Sequence, residues 1–253
     1  MKYCFILLLN LTFLPLWSQS SPDSNFHIYI LMGQSNMAGR GEMVEPYSSQ
    51  QDERVWMFHT QNQFVQAKHP MHFDKPSLVG VGPGLSFGME MAKQSPSVKI
   101  GLVPCAVGGS SINSWVINGY DEATKTHPLD DAIQRILAAQ KLGVIKGILW
   151  HQGESDSEAN KRVGYIDKLN ALIAQIRSIT KQTNLPFVVG ELGYFNQNYQ
   201  DFNQLLSSFR APSLHIAVVS AKDLTAKSDH IHFDSRSATE LGKRYALALQ
   251  QLP

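Results

Sequence analysis

The sequence predicts an α/β protein in which helices cover both faces of a central, mostly parallel sheet. Short apolar runs alternate along the chain with longer segments whose apolar residues recur every three or four positions, which is typical of alternating strands and helices. Hydrophobic residues make up 43% and charged residues 17% of the chain, which indicates a globular protein. Its 253 residues suit one domain whose core needs no disulfide bonds.

The strand and helix patterns can be placed along the chain. Five apolar runs are the predicted core strands, at residues 28–33, 98–105, 145–150, 186–192 and 214–220. Residues 54–59 are a further short strand pattern, and a long polar loop follows it to about residue 81. Helical spacing predicts helices near residues 85–92 and at 129–142, 158–180, 197–209 and 235–250. The predicted central sheet is therefore five-stranded.

The N-terminus, residues 1–20, is predicted to be a cleaved signal peptide. Lys2 precedes an apolar stretch at residues 5–17 that is too short to span a membrane, and small residues follow it at the spacing of a cleavage site. Residues 21–253 are then expected to be a single exported domain, periplasmic or extracellular. Cys105 would be the only cysteine left, so no intramolecular disulfide can form, and we expect a buried, inert thiol.

The charge of the chain bears on its partners. The formal net charge is +1, and the sequence contains no run of like charges. It therefore gives no electrostatic reason to expect nucleic acid or an anionic membrane as a partner. A small or neutral molecule is the expected ligand.

Polar motifs follow the predicted core strands. Ser35, Gly108–Gly109, Gln152 and residues 229–232 each come after such a strand. In a parallel sheet, ligands bind beyond the carboxyl ends of the strands, so these motifs are expected to share one rim.

Ser35 has two interpretations on its own sequence context. It follows a core strand at a turn, which is where hydrolases place a nucleophile, but serine is also an ordinary helix cap. A nucleophilic hydroxyl needs a base, and His232 is the preferred one. Asp229, three residues earlier, can reach the imidazole and stabilise the imidazolium formed during attack. A surface loop with a structural histidine is the alternative.

The remaining polar residues suit supporting roles. Gly108 or Gly109 fits an oxyanion hole because glycine lets the backbone approach a substrate, and the amides of Ser35 and Gln152 are further possible donors. Glu154 competes with Asp229 for orienting His232. Ser155 begins a capping-box pattern with Glu158, which makes Asp156 mostly structural.

A metal site is an alternative role for some of these residues. The possible ligands cluster in two rim loops: His151, Glu154, Asp156, His230 and His232. They lack the i, i+4 histidine spacing of helical zinc sites and any Cys/His ligand set, so we predict neither a metal nor another cofactor.

Four motifs together carry a family resemblance. GQSN at 33–36, CAVGGSSI at 105–112, WHQGESD at 150–156 and DHIHFD at 229–234 resemble the blocks of the SGNH (GDSL-like) hydrolase superfamily. More narrowly, they resemble the sialate O-acetylesterase-like branch, which includes acetylxylan esterases of carbohydrate esterase family six. The resemblance implies a flavodoxin-like three-layer αβα sandwich and metal-independent removal of acetyl groups from carbohydrate.

The resemblance also implies roles by position. Ser35 is the nucleophile and places its amide in the oxyanion hole, one glycine of Gly108–Gly109 is the second donor, and Gln152 stands where the wider superfamily has asparagine. His232 is the base. The wider superfamily favours Asp229 as the acid and members of this branch can use Glu154; we favour Asp229.

The predicted function is that of an exported serine esterase that deacetylates acetylxylan or a similar plant-type glycan through an acetyl-enzyme intermediate. Gln34, Asn113 and Trp115 are the expected substrate contacts, although Trp115 suits core packing equally well. One alternative is the same chemistry on acetylated sialic acid or simple esters. A second is a carbohydrate-binding protein that has lost catalysis; the presence of Ser35, Gln152 and His232 argues against it.

Overall fold

A central sheet runs through residues 21–253, the part of the chain that the computed structural model describes. Its strands are β1 (Asp23–Gly33), β2 (Val55–Phe58), β3 (Phe64–Gln66), β4 (Lys99–Pro104), β5 (Gly143–His151), β6 (Phe187–Gly190) and β7 (Ile216–Val219). They lie in the order β3-β2-β4-β1-β5-β6-β7, and every neighbouring pair is parallel except β2 with β3. The predicted fold class, a mostly parallel sheet in an α/β protein, is confirmed.

The helices lie between the strands. They are α1 (Ser35–Ala38), α2 (Pro83–Gln94), α3 (Pro128–Ala139), α4 (Tyr165–Thr180), α5 (Gln197–Ser207) and α6 (Ser235–Gln250). Short 3₁₀ turns occur at Ile112–Ser114, Glu154–Asp156 and Pro212–Leu214. No helix within residues 21–253 is long and apolar enough to cross a bilayer. The predicted signal peptide, residues 1–20, lies outside the described residues.

Strand β1 shows how helices come to cover both faces. Its side chains alternate between two apolar clusters, because successive residues of a strand point to opposite faces of a sheet. Ile28 and Ile30 pack in the cluster that contains core residues of α3, α4 and α5, whereas Tyr29 and Leu31 pack with residues of α2 and α6. The result is the three-layer αβα arrangement that the sequence predicts.

The sheet has seven strands, not five. Strand β2 lies where the short strand pattern at residues 54–59 predicts it, but β3 falls within the predicted polar loop. Strand β3 is an edge strand whose residues are only half-buried, and it pairs antiparallel with β2 through contacts such as Phe58 with Phe64. Its short, mixed sequence does not show the apolar run that identifies core strands.

The helix after β5 also begins later than predicted. Helix α4 starts at Tyr165 and not near residue 158, and Val163, which falls inside the predicted helix, is 73% exposed. Ser155 consequently does not begin this helix; its hydroxyl donates to the carbonyl of Gly109 at 2.9 Å. The predicted capping box is therefore wrong, and residues 157–164 form a loop.

The parallel strands place their carboxyl ends at one edge of the sheet. At that edge the last residue of β1, Gly33, lies beside His151 of β5, with φ at +126°. A β-carbon at Gly33 would lie 2.0 Å from the carbonyl oxygen of His151, so only glycine lets the two strand ends approach this closely. This contact brings the turn that carries Ser35 next to the loop that carries Gln152 and Glu154.

Candidate active site

A serine, a histidine and an aspartate form a hydrogen-bonded chain at this edge. The Oγ atom of Ser35 lies 3.0 Å from Nε2 of His232, and Nδ1 of His232 lies 2.8 Å from Oδ2 of Asp229. Ser35 opens α1 directly after β1, while Asp229 and His232 come from the loop before α6. The carboxylate fixes the ring tautomer with the proton on Nδ1, so Nε2 is free to accept the proton of the serine hydroxyl.

The surroundings of Asp229 favour its ionised form. Burial opposes ionisation, but the backbone N–H groups of Ile231 and His232, each 2.9 Å from Oδ1, and the His232 ring outweigh it. Together they lower the pKa of Asp229 to about 2. The carboxylate beside the imidazole is thus a fixed negative charge at neutral pH.

Glu154 lies close to the site but contacts other groups. Its Oε1 atom accepts a hydrogen bond from the Asn36 side-chain amide at 2.5 Å and lies 3.6 Å from Nε2 of His151. Burial raises the pKa of Glu154 to about 7 and lowers that of His151 to about 3. The two carboxyl groups near Ser35 therefore differ in charge. Asp229 is an anion in contact with His232, whereas Glu154 is only about half ionised near pH 7.

The state of His151 agrees with a neutral Glu154. The hydroxyl of Tyr245 donates its only proton to the carbonyl of Trp150 at 2.8 Å, so Nδ1 of His151, 3.2 Å from that hydroxyl, must be the donor. Nε2 of His151 is then a bare lone pair, and it is buried without a hydrogen-bond partner among residues 21–253, as is Oε2 of Glu154. A proton on Glu154 makes the carboxyl group neutral, so no uncompensated charge is left in this buried position beside the neutral His151.

The two glycines of the loop after β4 differ in whether their backbone N–H groups have a hydrogen-bond acceptor. The N–H of Gly108 donates to Oδ2 of Asp74 at 2.8 Å, and this carboxylate is also paired with Arg40 at 2.7 Å. Gly109 has φ at +87°, and its N–H donates to no group within residues 21–253. The amide of Ser35 is likewise without an acceptor there. Gly109 and Ser35 therefore present the free backbone donors, and Gly108 anchors the turn.

Gln152 does not present the free side-chain amide that the sequence predicts. Its side chain is fully buried, and its amide group donates to the Ser110 carbonyl at 3.0 Å and to Oδ2 of Asp156 at 2.5 Å. Its Oε1 accepts from the hydroxyl of Tyr165 at 2.8 Å. With its amide hydrogens engaged internally, Gln152 has none to offer an oxyanion. The side chain instead joins the loops that follow β4 and β5.

Asp156 completes that connection. Its two oxygens accept from the Ser111 hydroxyl at 2.6 Å and from the backbone N–H of Ile112 at 2.8 Å, in addition to Gln152. It therefore stabilises the loop that carries the glycines and makes no contact with His232.

A cavity of about 350 Å³ opens at Ser35 and His232. Gln34 lines it. Its Oε1 accepts from the backbone N–H of Ser155 at 3.3 Å and lies 3.2 Å from Nε2 of Gln152, which leaves the Gln34 amide hydrogens without an acceptor among the described residues. Lys75 also lines the cavity, and its ammonium forms no ion pair within residues 21–253. Arg40, Asp74 and Lys75 belong to loops without a recognisable pattern, so the sequence alone does not identify them.

The two other expected substrate contacts lie away from the cavity lining. Trp115 is 1% exposed, donates its indole N–H to Ser110 Oγ at 2.9 Å and packs edge-to-face on Trp150, so the prediction that it contacts substrate is wrong. Asn113 is exposed, and its Oδ1 accepts from Lys168 at 2.7 Å. Among residues 21–253 no group of three or more His, Cys, Asp or Glu side chains is arranged to hold a metal ion.

Comparison with known proteins decides the family. The sequence pattern of the family described as carbohydrate esterase, sialic acid-specific acetylesterase, matches residues 25–251. The chain belongs to this family. A probable carbohydrate esterase of Arabidopsis thaliana is 29% identical over 251 residues, which cover 90% of this chain and 92% of that protein.

Solved structures agree with this carbohydrate esterase fold. An X-ray structure of an Arabidopsis thaliana protein superposes with a TM-score of 0.81 at 27% identity and covers 91% of this chain and 100% of that one. NanS superposes with a TM-score of 0.68 at 18% identity, with 92% and 98% of the two chains covered, which shows a common fold. The resemblance to the sialate O-acetylesterase family is confirmed.

Proposed function

We propose that this carbohydrate esterase is an exported serine esterase that removes O-acetyl groups from a glycan such as acetylxylan. The chain of hydrogen bonds from Ser35 through His232 to Asp229, open to a cavity, is the observation that carries the proposal. Membership of the family implies an acetylated carbohydrate as substrate.

The reaction would proceed in two halves. Nε2 of His232 takes the proton of the Ser35 hydroxyl while Oγ attacks the ester carbonyl, and the oxyanion accepts hydrogen bonds from the amides of Ser35 and Gly109. Collapse of this intermediate expels the sugar oxygen, which takes the proton from His232 and leaves an acetyl-enzyme. Water then gives a proton to His232 and attacks the acetyl group, and acetate leaves as Ser35 regains its proton.

Two revisions of the expected oxyanion hole support this mechanism. The Gly108 amide is occupied by Asp74 and the Gln152 amide by internal acceptors, so Gly109 is the proposed second backbone donor. The amide group of Gln34, which lines the same cavity, is the side-chain donor best placed to assist. Loss of a single such donor typically costs about a hundredfold in rate.

An acetylated acidic sugar, such as a sialic acid, is a second candidate substrate. The cavity contains Arg40, whose charge Asp74 neutralises, and Lys75, whose charge no described residue neutralises. An unpaired ammonium in the lining of the cavity that contains Ser35 favours a sugar that carries a carboxylate.

Acetate release from acetylated xylan and from an acetylated sialic acid tests both the reaction and the substrate. Ser35→Ala should lower kcat by about a thousandfold or more, whereas Ser86→Ala, at a buried serine on α2, should not. Absence of turnover by the wild type on both substrates and on p-nitrophenyl acetate would refute the proposal.

If the acidic sugar is preferred, Lys75→Met should raise the KM for the acetylated sialic acid and leave the KM for acetylated xylan unchanged.

Export by a signal peptide is part of the proposal. The full-length chain expressed in a bacterium should appear outside the cytoplasm with its new N-terminus near Ser21. N-terminal sequencing of the mature protein provides the check. Recovery of the uncleaved chain from the cytoplasm alone would contradict it.

A further inference from the structure

Asn36, the residue after Ser35, holds the backbone on both sides of His232. Its Nδ2 donates to the carbonyl of Ile231 at 3.1 Å, and its Oδ1 accepts from the N–H of Phe233 at 3.0 Å. Asn36 is only 3% exposed, so water does not compete for these bonds. The turn that carries the serine is thereby tied directly to the two residues that flank the histidine.

The orientation of the Asn36 amide follows from its backbone partners. The Phe233 N–H can only donate and the Ile231 carbonyl can only accept, so Oδ1 must face the former and Nδ2 the latter. The second hydrogen of Nδ2 then points to Oε1 of Glu154, 2.5 Å away. Oε1 can accept this bond from an ionised Glu154 and also from a neutral one that holds its proton on Oε2. Glu154 can thus fix Asn36 whether or not it is ionised.

We propose that Asn36 is a positioning residue that sets the distance between Ser35 and His232, and that Glu154 acts on the reaction only by holding the Asn36 amide. The proposal rests on the serine esterase function proposed above. It explains why a glutamate lies beside the catalytic loops although Asp229, and not Glu154, contacts the His232 ring.

The groups around Glu154 support a role through hydrogen bonding and not through charge. Nε2 of His151 lies 3.6 Å from Oε1 of Glu154, and Asp156 disfavours the ionisation of Glu154 by like charge. No Lys or Arg side chain within residues 21–253 forms an ion pair with Glu154.

The first test compares Asn36→Ala with Asn203→Ala. Asn203 is a matched control: it is also 3% exposed and holds the backbone of Leu192 through its Oδ1 at 2.8 Å and its Nδ2 at 2.9 Å. Both variants should lose similar thermal stability. Only Asn36→Ala should lower kcat for acetyl ester hydrolysis, by about 10- to 100-fold with little change in KM, because a small displacement of reacting groups slows the chemical step.

A readout that does not depend on turnover accompanies the kinetics. The Nδ1 proton of His232, held by Asp229, should give a downfield NMR signal that Asp229→Ala abolishes. Asn36→Ala should broaden or abolish it, and Asn203→Ala should leave it intact. Wild-type kcat together with an intact signal in Asn36→Ala would overturn the inference. If the wild type hydrolyses no ester, the proposed function fails, and the NMR signal alone decides the role of Asn36.

The second test separates the hydrogen bond between Glu154 and Asn36 from the charge of the Glu154 carboxylate. Glu154→Gln keeps an acceptor for Asn36 and should lose less kcat than Glu154→Ala. Glu154→Ala should lose no more than Asn36→Ala, because it leaves the bonds from Asn36 to Ile231 and Phe233 in place. The double variant Asn36→Ala with Glu154→Ala should be no slower than Asn36→Ala, because both act on one contact. Equal losses in Glu154→Gln and Glu154→Ala would show that the charge of Glu154 matters, and would overturn its assigned role.

Discussion

Replacing Glu154 by glutamine is expected to remove a loss of stability that the wild type suffers as the pH rises. Glu154 is buried, and its pKa in the folded protein is about 7, against an ordinary 4.5. Between these values the folded protein holds a proton that the unfolded chain has released. The free energy of unfolding contributed by this group therefore falls as pH rises through that window, and it stays lower above pH 7.

The size of the effect follows from the two pKa values. At about 1.4 kcal/mol per pKa unit, the change from 4.5 to about 7 corresponds to about 3 kcal/mol. Glutamine carries no titrating proton, so the stability of Glu154→Gln relative to the wild type should rise by about this amount between about pH 4.5 and pH 8. For a chain of this size that equals about 6 to 12 °C in melting temperature.

Urea denaturation at a series of pH values and constant ionic strength measures this difference. His151 has a lowered pKa and opposes the trend in the wild type, but its contribution is common to both proteins and cancels in the comparison. Glu158→Gln is a suitable control because Glu158 is 56% exposed and paired with Lys161. A stability difference between Glu154→Gln and the wild type that stays flat across the window would show that Glu154 is an ordinary ionised carboxylate.

Three further predictions concern other residues. Asp229→Ala should lower kcat on acetyl esters by about a thousandfold or more, since it removes the anion beside His232; near-wild-type turnover would refute the assignment. Gly109→Ala should lower kcat because φ there is +87°, while Gly164→Ala, at φ +71° in open space, should cost stability alone; equal kcat in the two variants would count against the oxyanion role. The Cys105 thiol, whose pKa burial raises to about 11, should react with a thiol reagent only after unfolding; rapid labelling of the native protein would contradict its burial.

Local pattern was sufficient to predict most of the fold. The apolar run at residues 28–33 identifies β1 because a strand buried on both faces cannot carry polar side chains, and the same holds for β4 to β7. Convergence of the motifs also follows from pattern, because parallel strands place their carboxyl ends at one edge. Strand β3 and the start of α4 escaped prediction because the first is a half-buried edge strand and the second begins after an irregular loop.

The sequence by itself determined that Ser35, the glycine loop and His232 would meet, because each follows a core strand of one parallel sheet. Only the tertiary structure decided which polar groups form hydrogen bonds with each other. The side-chain amide of Gln152 donates to Asp156, and the backbone N–H of Gly108 donates to Asp74. Both acceptors lie between the strands and α-helices. Asp229 contacts His232 within its own loop, whereas Glu154 reaches Asn36, 118 residues away. A buried amide or carboxyl takes whichever partner the folded chain places within hydrogen-bond distance, and that choice is absent from the local sequence.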